Sequence, residues 1–207
     1  MSSNPVQAEY SKLAQRYDDR WSFYVTATVQ QTLNRLALKS GERILDLGCG
    51  TGTLIQQLLQ INAQLEVTGL DPTAEMIAVA QQKLPPSVDL RVASATSIPF
   101  PDATFDRVIS TSAFHYFRDP APALEEVHRV LKPGGQLILT DWCKDYLTCY
   151  FLDLFLRVFN RAHFRTYRAT ELHALLQNAG FQQVNLDRYK INWFWGMMTA
   201  RAMKGDR

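Results

Sequence analysis

Apolar residues recur in two alternating rhythms along most of this 207-residue chain. Short apolar-rich stretches come at 44–47, 65–70, 90–93, 104–109 and 136–142. Each is long enough for a buried strand and too short for a helix. Between them the spacing becomes helical: Leu54, Ile55, Leu58 and Leu59 follow the first stretch, residues 73–83 the second, and Leu124, Val127, Val130 and Leu131 the fourth. Asp71-Pro72-Thr73 and Asp119-Pro120 are helix starts, with the aspartate able to cap and proline suited to the first turn. Lys132-Pro133-Gly134-Gly135 is a stop. Strand alternating with helix predicts an α/β fold, a doubly wound, mostly parallel sheet with helices on both faces.

The two ends leave this rhythm. Asn4-Pro5 opens a short helix to about Gln15, an aromatic and charged patch covers 17–21, and Val25, Val29, Leu33 and Leu36 mark a one-faced helix ending before Gly41. We expect residues 1–40 to cap the mouth of a site within one domain spanning 1–207. At the other end, Asp153, Arg157 and Arg161 make one polar stripe, and nearly everything else over 146–159 is apolar. Its apolar part spans ~21 Å, short of a bilayer core. Such a helix needs an apolar ligand, a membrane-surface or lipid-borne substrate, or a partner against it. We expect 143–167 to form a ligand pocket and its lid, with a homodimer face and plain core as the alternatives. A helix over 170–178 closed by Gly180, then strands over 183–189 and 193–201, complete the chain.

Charge and cysteines narrow the class. A net charge of +2 carries no polyelectrolyte signature, so nucleic acid is not expected as the main partner. Cys49, Cys143 and Cys149 form neither an even framework nor a C-x-x-C pair, and with the four histidines they show no metal-ligand spacing. No basic-then-apolar leader and no run of ~18 apolar residues is present, and we expect a cytoplasmic protein without a transmembrane segment.

The candidate chemistry lies in residues 44–54, ILDLGCGTGTL. A strand, a glycine loop and a helix start in that order build a nucleotide site, because glycine admits close approach and the helix start offers unpaired N–H groups. The dinucleotide fingerprint G-x-G-x-x-G would place its third glycine at position 53, which is Thr. Asp71 lies 19 residues beyond Gly52, near the ~20-residue spacing at which an acid reaches ribose hydroxyls. Its bland reading is a helix cap.

The segment DLGCGTG, with GLD at 69–71, SATSIPFPDATFD at 94–106 and EEVHRVLKPGGQLIL at 125–139, resembles the class I S-adenosylmethionine-dependent methyltransferases of the generic small-molecule branch. The resemblance covers about half the chain. It implies a seven-stranded sheet of order 3-2-1-4-5-7-6 and S-adenosyl-L-methionine as cofactor. It also implies that Asp46 and the loop residues Gly48, Cys49, Gly50 and Gly52 hold the methionine part, with Tyr17 beside it. Asp71, with Pro72, would bind ribose, and Ser94-Ala95 would face adenine; Met76, Thr96 and Thr111 complete the expected cofactor set. The family commonly has Asp where this chain has Ser94. The neutral hydroxyl makes a weaker contact, and Ala95 N–H or Thr96 is the alternative.

Methyl transfer requires alignment and exclusion of water more than a strong acid–base pair. His115, in the loop beyond the fourth strand, is the best base candidate, against the reading of a packed loop histidine. Tyr116, Trp142, Tyr146 and Tyr150 are the remaining substrate candidates. The expected function is methylation of a small, aromatic or lipophilic acceptor. A non-catalytic cofactor-binding module and a nicotinamide-dependent oxidoreductase are the rivals.

Overall fold

The computed structural model describes residues 5–160 and 162–205. One sheet contains all seven strands: β1 Arg43–Leu47, β2 Glu66–Asp71, β3 Asp89–Val92, β4 Phe105–Thr111, β5 Leu131–Trp142, β6 Phe181–Lys190 and β7 Gly196–Lys204. Their order is β3-β2-β1-β4-β5-β7-β6. β1 to β5 pair in parallel, and β7 runs antiparallel between β5 and β6.

Among the described residues seven α-helices surround it: α1 Pro5–Leu13, α2 Tyr17–Leu33, α3 Thr53–Ile61, α4 Ala74–Lys83, α5 Pro120–Val130, α6 Leu147–Phe159 and α7 Ala169–Asn178. Side chains alternate across a strand, so β1 feeds two cores at once. Ile44 joins Val29, Ile55 and Leu58 from α2 and α3. Leu45 joins Leu124, Val127 and Leu172 from α5 and α7. The sheet is thus covered on both faces, as its continuous apolar stretches require.

The boundaries depart from the sequence reading in four places. The patch at 17–21 is not a break: α2 starts at Tyr17, with Asp19 and Arg20 exposed and Asp18 turned toward Thr51 and Lys83. Asp71 does not occupy the cap position of α4, which is Thr73; the Asp71 carboxylate instead accepts from Thr73 N at 2.8 Å. β5 begins at Leu131, because Leu131 pairs with Phe105 before the Pro-Gly-Gly bulge shifts the register to Arg107 opposite Gln136. The last strand starts at Gly196, since 191–195 form a turn in which Asn192 Oδ1 accepts from Phe194 N and Trp195 N. Asn4 and Arg161 lie outside the described residues.

α6 is turned inside out. Its buried residues are Cys149 and Asp153, while Leu147, Phe151, Leu154, Phe155, Val158 and Phe159 are exposed. Asp153 can lie inward because its partners are complete: Lys144 Nζ at 2.6 Å, His163 Nε2 at 2.9 Å, Thr166 N at 2.7 Å and Arg157 at 3.1 Å. Burial alone would push this carboxyl up, but the hydrogen bonds from His163, Lys144 and Thr166 hold it well below the usual carboxylate range.

Candidate active site

β1, β2 and β4 end together at one edge of the sheet, and β1 beside β4 is where the strand order reverses. Ligands of doubly wound sheets bind in the crevice at that point. The loop after β1 is pinned there by Gly48 N and Cys49 N, both donating to Leu70 O at 2.7 and 3.1 Å. Gly48 has φ +78, and a Cβ on it would lie 2.7 Å from the Ala113 Cβ. No other residue fits. Cys49 is turned away into the core, where burial pushes its thiol up, and Gly52 is the N-cap of α3, outside the cavity lining.

Two aspartates set the electrostatics. Asp46 is 1% exposed and both its carboxylate oxygens are without a partner. Burial pushes it up to about 8, with the neighbouring Asp71 adding to the shift. A buried carboxyl left in this state is completed by an ammonium group brought in from outside, which pairs with its ionised form. Asp71 Oδ2 accepts from Gly50 N at 3.0 Å and Oδ1 from Thr73 N. Each oxygen keeps a lone pair for a hydroxyl donor. Burial raises Asp71 as well, opposed by its bonds from Thr73 and Gly50. These features fit the amino-acid and ribose ends of S-adenosylmethionine.

Above the strand ends lies a cavity of about 630 Å³. Gly48, Gly50, Asp71, Pro72 and Met76 line one part, and Ser94, Ala95 and Thr96 its far rim. There the Ser94 hydroxyl accepts from Thr96 N at 3.2 Å. Thr111 and Ser112 form the floor at the end of β4, with Ser112 in the left-handed region at φ +55. Its hydroxyl is hydrogen-bonded with Tyr24 at 2.6 Å, which holds this costly conformation in place.

The roof is the N-terminal segment. Pro5, Val6, Tyr10 and Tyr17 line the cavity. Gln7 Nε2 donates to Pro72 O at 2.7 Å, Ser11 to Glu75 at 2.8 Å, and Thr51 to Asp18 at 2.6 Å. Tyr10 donates to Tyr116 Oη at 2.6 Å, leaving the Tyr116 proton for another acceptor. Burial pushes the Tyr17 phenol up to about 12 and the Tyr10 and Tyr116 phenols up too. All three are therefore neutral donors at pH 7.

The other proposed substrate residues are placed elsewhere. His115 lies in the one-turn 3-10 helix Phe114–Tyr116, which turns Tyr116 into the cavity and His115 beneath it. His115 is 2% exposed, and its Nε2 is unpartnered. Trp142 stacks on it with ring centroids 4.3 Å apart, and the Trp142 indole donates to Tyr24 at 2.6 Å. Tyr146 and Tyr150 flank the start of α6 outside the cavity lining. Sequence reasoning missed Tyr10, Ser112, Phe117 and Phe164. Tyr10 and Phe164 arrive through long-range packing, and the Ser112 backbone carries no residue-type signal.

Comparison with known proteins gives the same fold and a family. The family described as a methyltransferase domain matches residues 45–139. The demethylmenaquinone methyltransferase of Lactiplantibacillus plantarum is 33% identical, the match covering 90% of this chain and 91% of that one. A Haloferax volcanii methyltransferase solved with the Trm112 methyltransferase activator has a TM-score of 0.84 at 21% identity, covering 95% and 98% of the two chains. The Haemonchus contortus phosphoethanolamine N-methyltransferase 2 solved with S-adenosyl-L-methionine has a TM-score of 0.72 at 19% identity, covering 86% of this chain and 52% of that one. The chain belongs to the class I S-adenosylmethionine-dependent methyltransferases. Its cofactor is S-adenosyl-L-methionine, and the nicotinamide alternative falls away.

Proposed function

We propose that this enzyme methylates a small lipophilic acceptor of the quinol type, an aromatic ring carrying hydroxyls and an apolar substituent. The observation that carries this reading is the acceptor end of the cavity. Val6, Tyr10, Tyr116, Phe117, Pro122 and Phe164 line it, and among the described lining residues Arg118 is the one cation. A phosphorylated amine would call for several cations. The demethylmenaquinone methyltransferase relative, matched over nine-tenths of the chain, supports the same choice.

Bound S-adenosylmethionine supplies an electrophilic methyl on a positively charged sulfur. The chain supplies the alignment. Asp46 receives the ammonium and Asp71 the ribose hydroxyls, Met76 and Pro72 flank the nucleoside, and Ser94 to Thr96 meet the base. Tyr17 closes the methionine end. Tyr116, braced by Tyr10, donates to an acceptor oxygen and turns the ring toward the methyl position. Tyr10 and the apolar roof exclude water. His115 acts behind Tyr116 as a positioning residue.

The test incubates the purified chain with labelled S-adenosylmethionine and a short-chain prenyl naphthohydroquinone, catechol or phosphoethanolamine. The proposal expects label on the naphthohydroquinone. Label on phosphoethanolamine alone overturns it.

A further inference from the structure

The exposed side of α6 has no counterpart in the methyl-transfer chemistry. Leu147, Phe151, Leu154, Phe155, Val158 and Phe159 recur at helical spacing over about 140° of arc at ~100° per residue. Beside them, the 191–195 turn packs on α6: Thr148 donates to Phe194 O at 2.5 Å, and Ile191 and Trp195 cluster with Leu152 and Leu156. That turn carries Trp193, 80% exposed. At roughly 150–250 Å² per large aromatic side chain, these residues expose on the order of 1,000 Å² of apolar surface. An ordinary monomer's largest patch is ~300–600 Å².

Charge selects what covers it. Residues 143–194 hold seven Lys or Arg against four Asp or Glu, a net +3 where the whole chain is +2. The rest of the molecule is therefore net negative. Three acids of the segment are paired, Asp153 with Lys144 and Arg157, Asp145 with Arg168 and Arg188, and Glu171 with Arg165, so two of these three acids meet two cations each and the surplus stays positive. Arg157 flanks the apolar face, and Lys190 reaches over the Tyr146 ring, 5.5 Å from its centroid. A second copy laid face to face would set these cations against each other. No described helix is long and apolar enough to cross a membrane.

We infer that α6 and Trp193 seat the enzyme on an anionic lipid surface. The apolar arc enters the headgroup boundary, tryptophan sits at the interface, and the basic rim meets the lipid charge. Five residues beyond α6, Phe164 enters the cleft lining. This deepens the lipophilic-acceptor reading, and binding is read without turnover, so each fails separately.

The test is co-sedimentation of the full chain with vesicles of phosphatidylcholine and phosphatidylglycerol, 1:1, and of phosphatidylcholine alone. The expected result is partition onto the anionic vesicles, at least tenfold weaker onto the neutral ones. The double variant Phe151→Glu, Phe155→Glu should lose it at least tenfold, with S-adenosylhomocysteine affinity unchanged. Quenching of wild-type tryptophan fluorescence by brominated lipid, absent in Trp193→Phe, reads the same contact without disturbing α6. No partition at millimolar lipid, equal partition onto both vesicle types, or a solution dimer that the double variant dissociates overturns the inference.

Discussion

Asp141 grips His115 with both oxygens: Oδ1 lies 2.7 Å from His115 Nδ1, and Oδ2 accepts the backbone N–H of the same residue at 2.9 Å. Oδ1 also accepts from Trp142 N at 2.7 Å. One carboxylate at the end of β5 thereby fixes the turn that presents Tyr116 to the cavity. Asp141→Ala strips three buried donors of their partner. It should cost ~3 kcal/mol or more, lowering Tm by about 6–12 °C at ~2–4 °C per kcal/mol for this size. Thermal unfolding of the two proteins decides it, and an unchanged Tm removes Asp141 as the anchor.

Asp46 makes stability and binding respond to pH in opposite directions. Its folded value is about 8, raised from ~3.9 in an unfolded chain. The folded, ligand-free state therefore binds the extra proton across that window. Stability contributed by this group is full below about pH 4 and is lost as pH rises toward 8. Cofactor binding should strengthen over the same rise, because an ammonium pairs with the ionised form. Asp46→Asn should flatten the pH dependence of Tm and raise it near pH 8, while S-adenosylhomocysteine affinity falls about tenfold or more. Calorimetry between pH 6 and 8.5 measures both, and affinity that falls with rising pH contradicts the assignment.

Asp71 holds Gly50 N and Thr73 N as well as any ligand hydroxyl. Asp71→Ala should weaken S-adenosylhomocysteine binding by about 1.5–3 kcal/mol. The loss of two backbone partners should also lower stability by ~1–3 kcal/mol. A fall in Tm with unchanged affinity would leave Asp71 as a loop brace alone.

The two cavity tyrosines should behave unequally. Tyr116→Phe removes the donor itself and should lower kcat by about tenfold to a hundredfold, with S-adenosylhomocysteine affinity retained. Tyr10→Phe removes only the brace and should cost less than tenfold. Equal activity in all three proteins would exclude phenol participation.

The alternating stretches were enough to draw the central sheet because strands covered on both faces must be apolar throughout. The order of the strands, including the closing antiparallel pair, came through family resemblance, since periodicity says nothing of neighbours. The residues of the glycine loop were legible because their backbone admits only glycine, as Gly48 against Ala113 illustrates. α6 was legible as a stripe and not as an orientation. Pattern analysis treats Asp153 as a surface residue, yet Lys144, His163, Thr166 and Arg157 make burial tolerable. His115 was visible as chemistry, but only the 3-10 turn decides that Tyr116 and not His115 lines the cavity.

α1 buries none of its residues fully, yet it roofs the cavity through Gln7, Tyr10 and Ser11. Its latches are hydrogen bonds that water can replace at little net cost. The roof over the cavity is therefore held by exchangeable polar contacts and by the packing of Tyr10 on Tyr17 and Tyr116. If this short helix must lift for donor and spent product to exchange, a tighter latch should prolong the stay of product rather than hasten the chemistry.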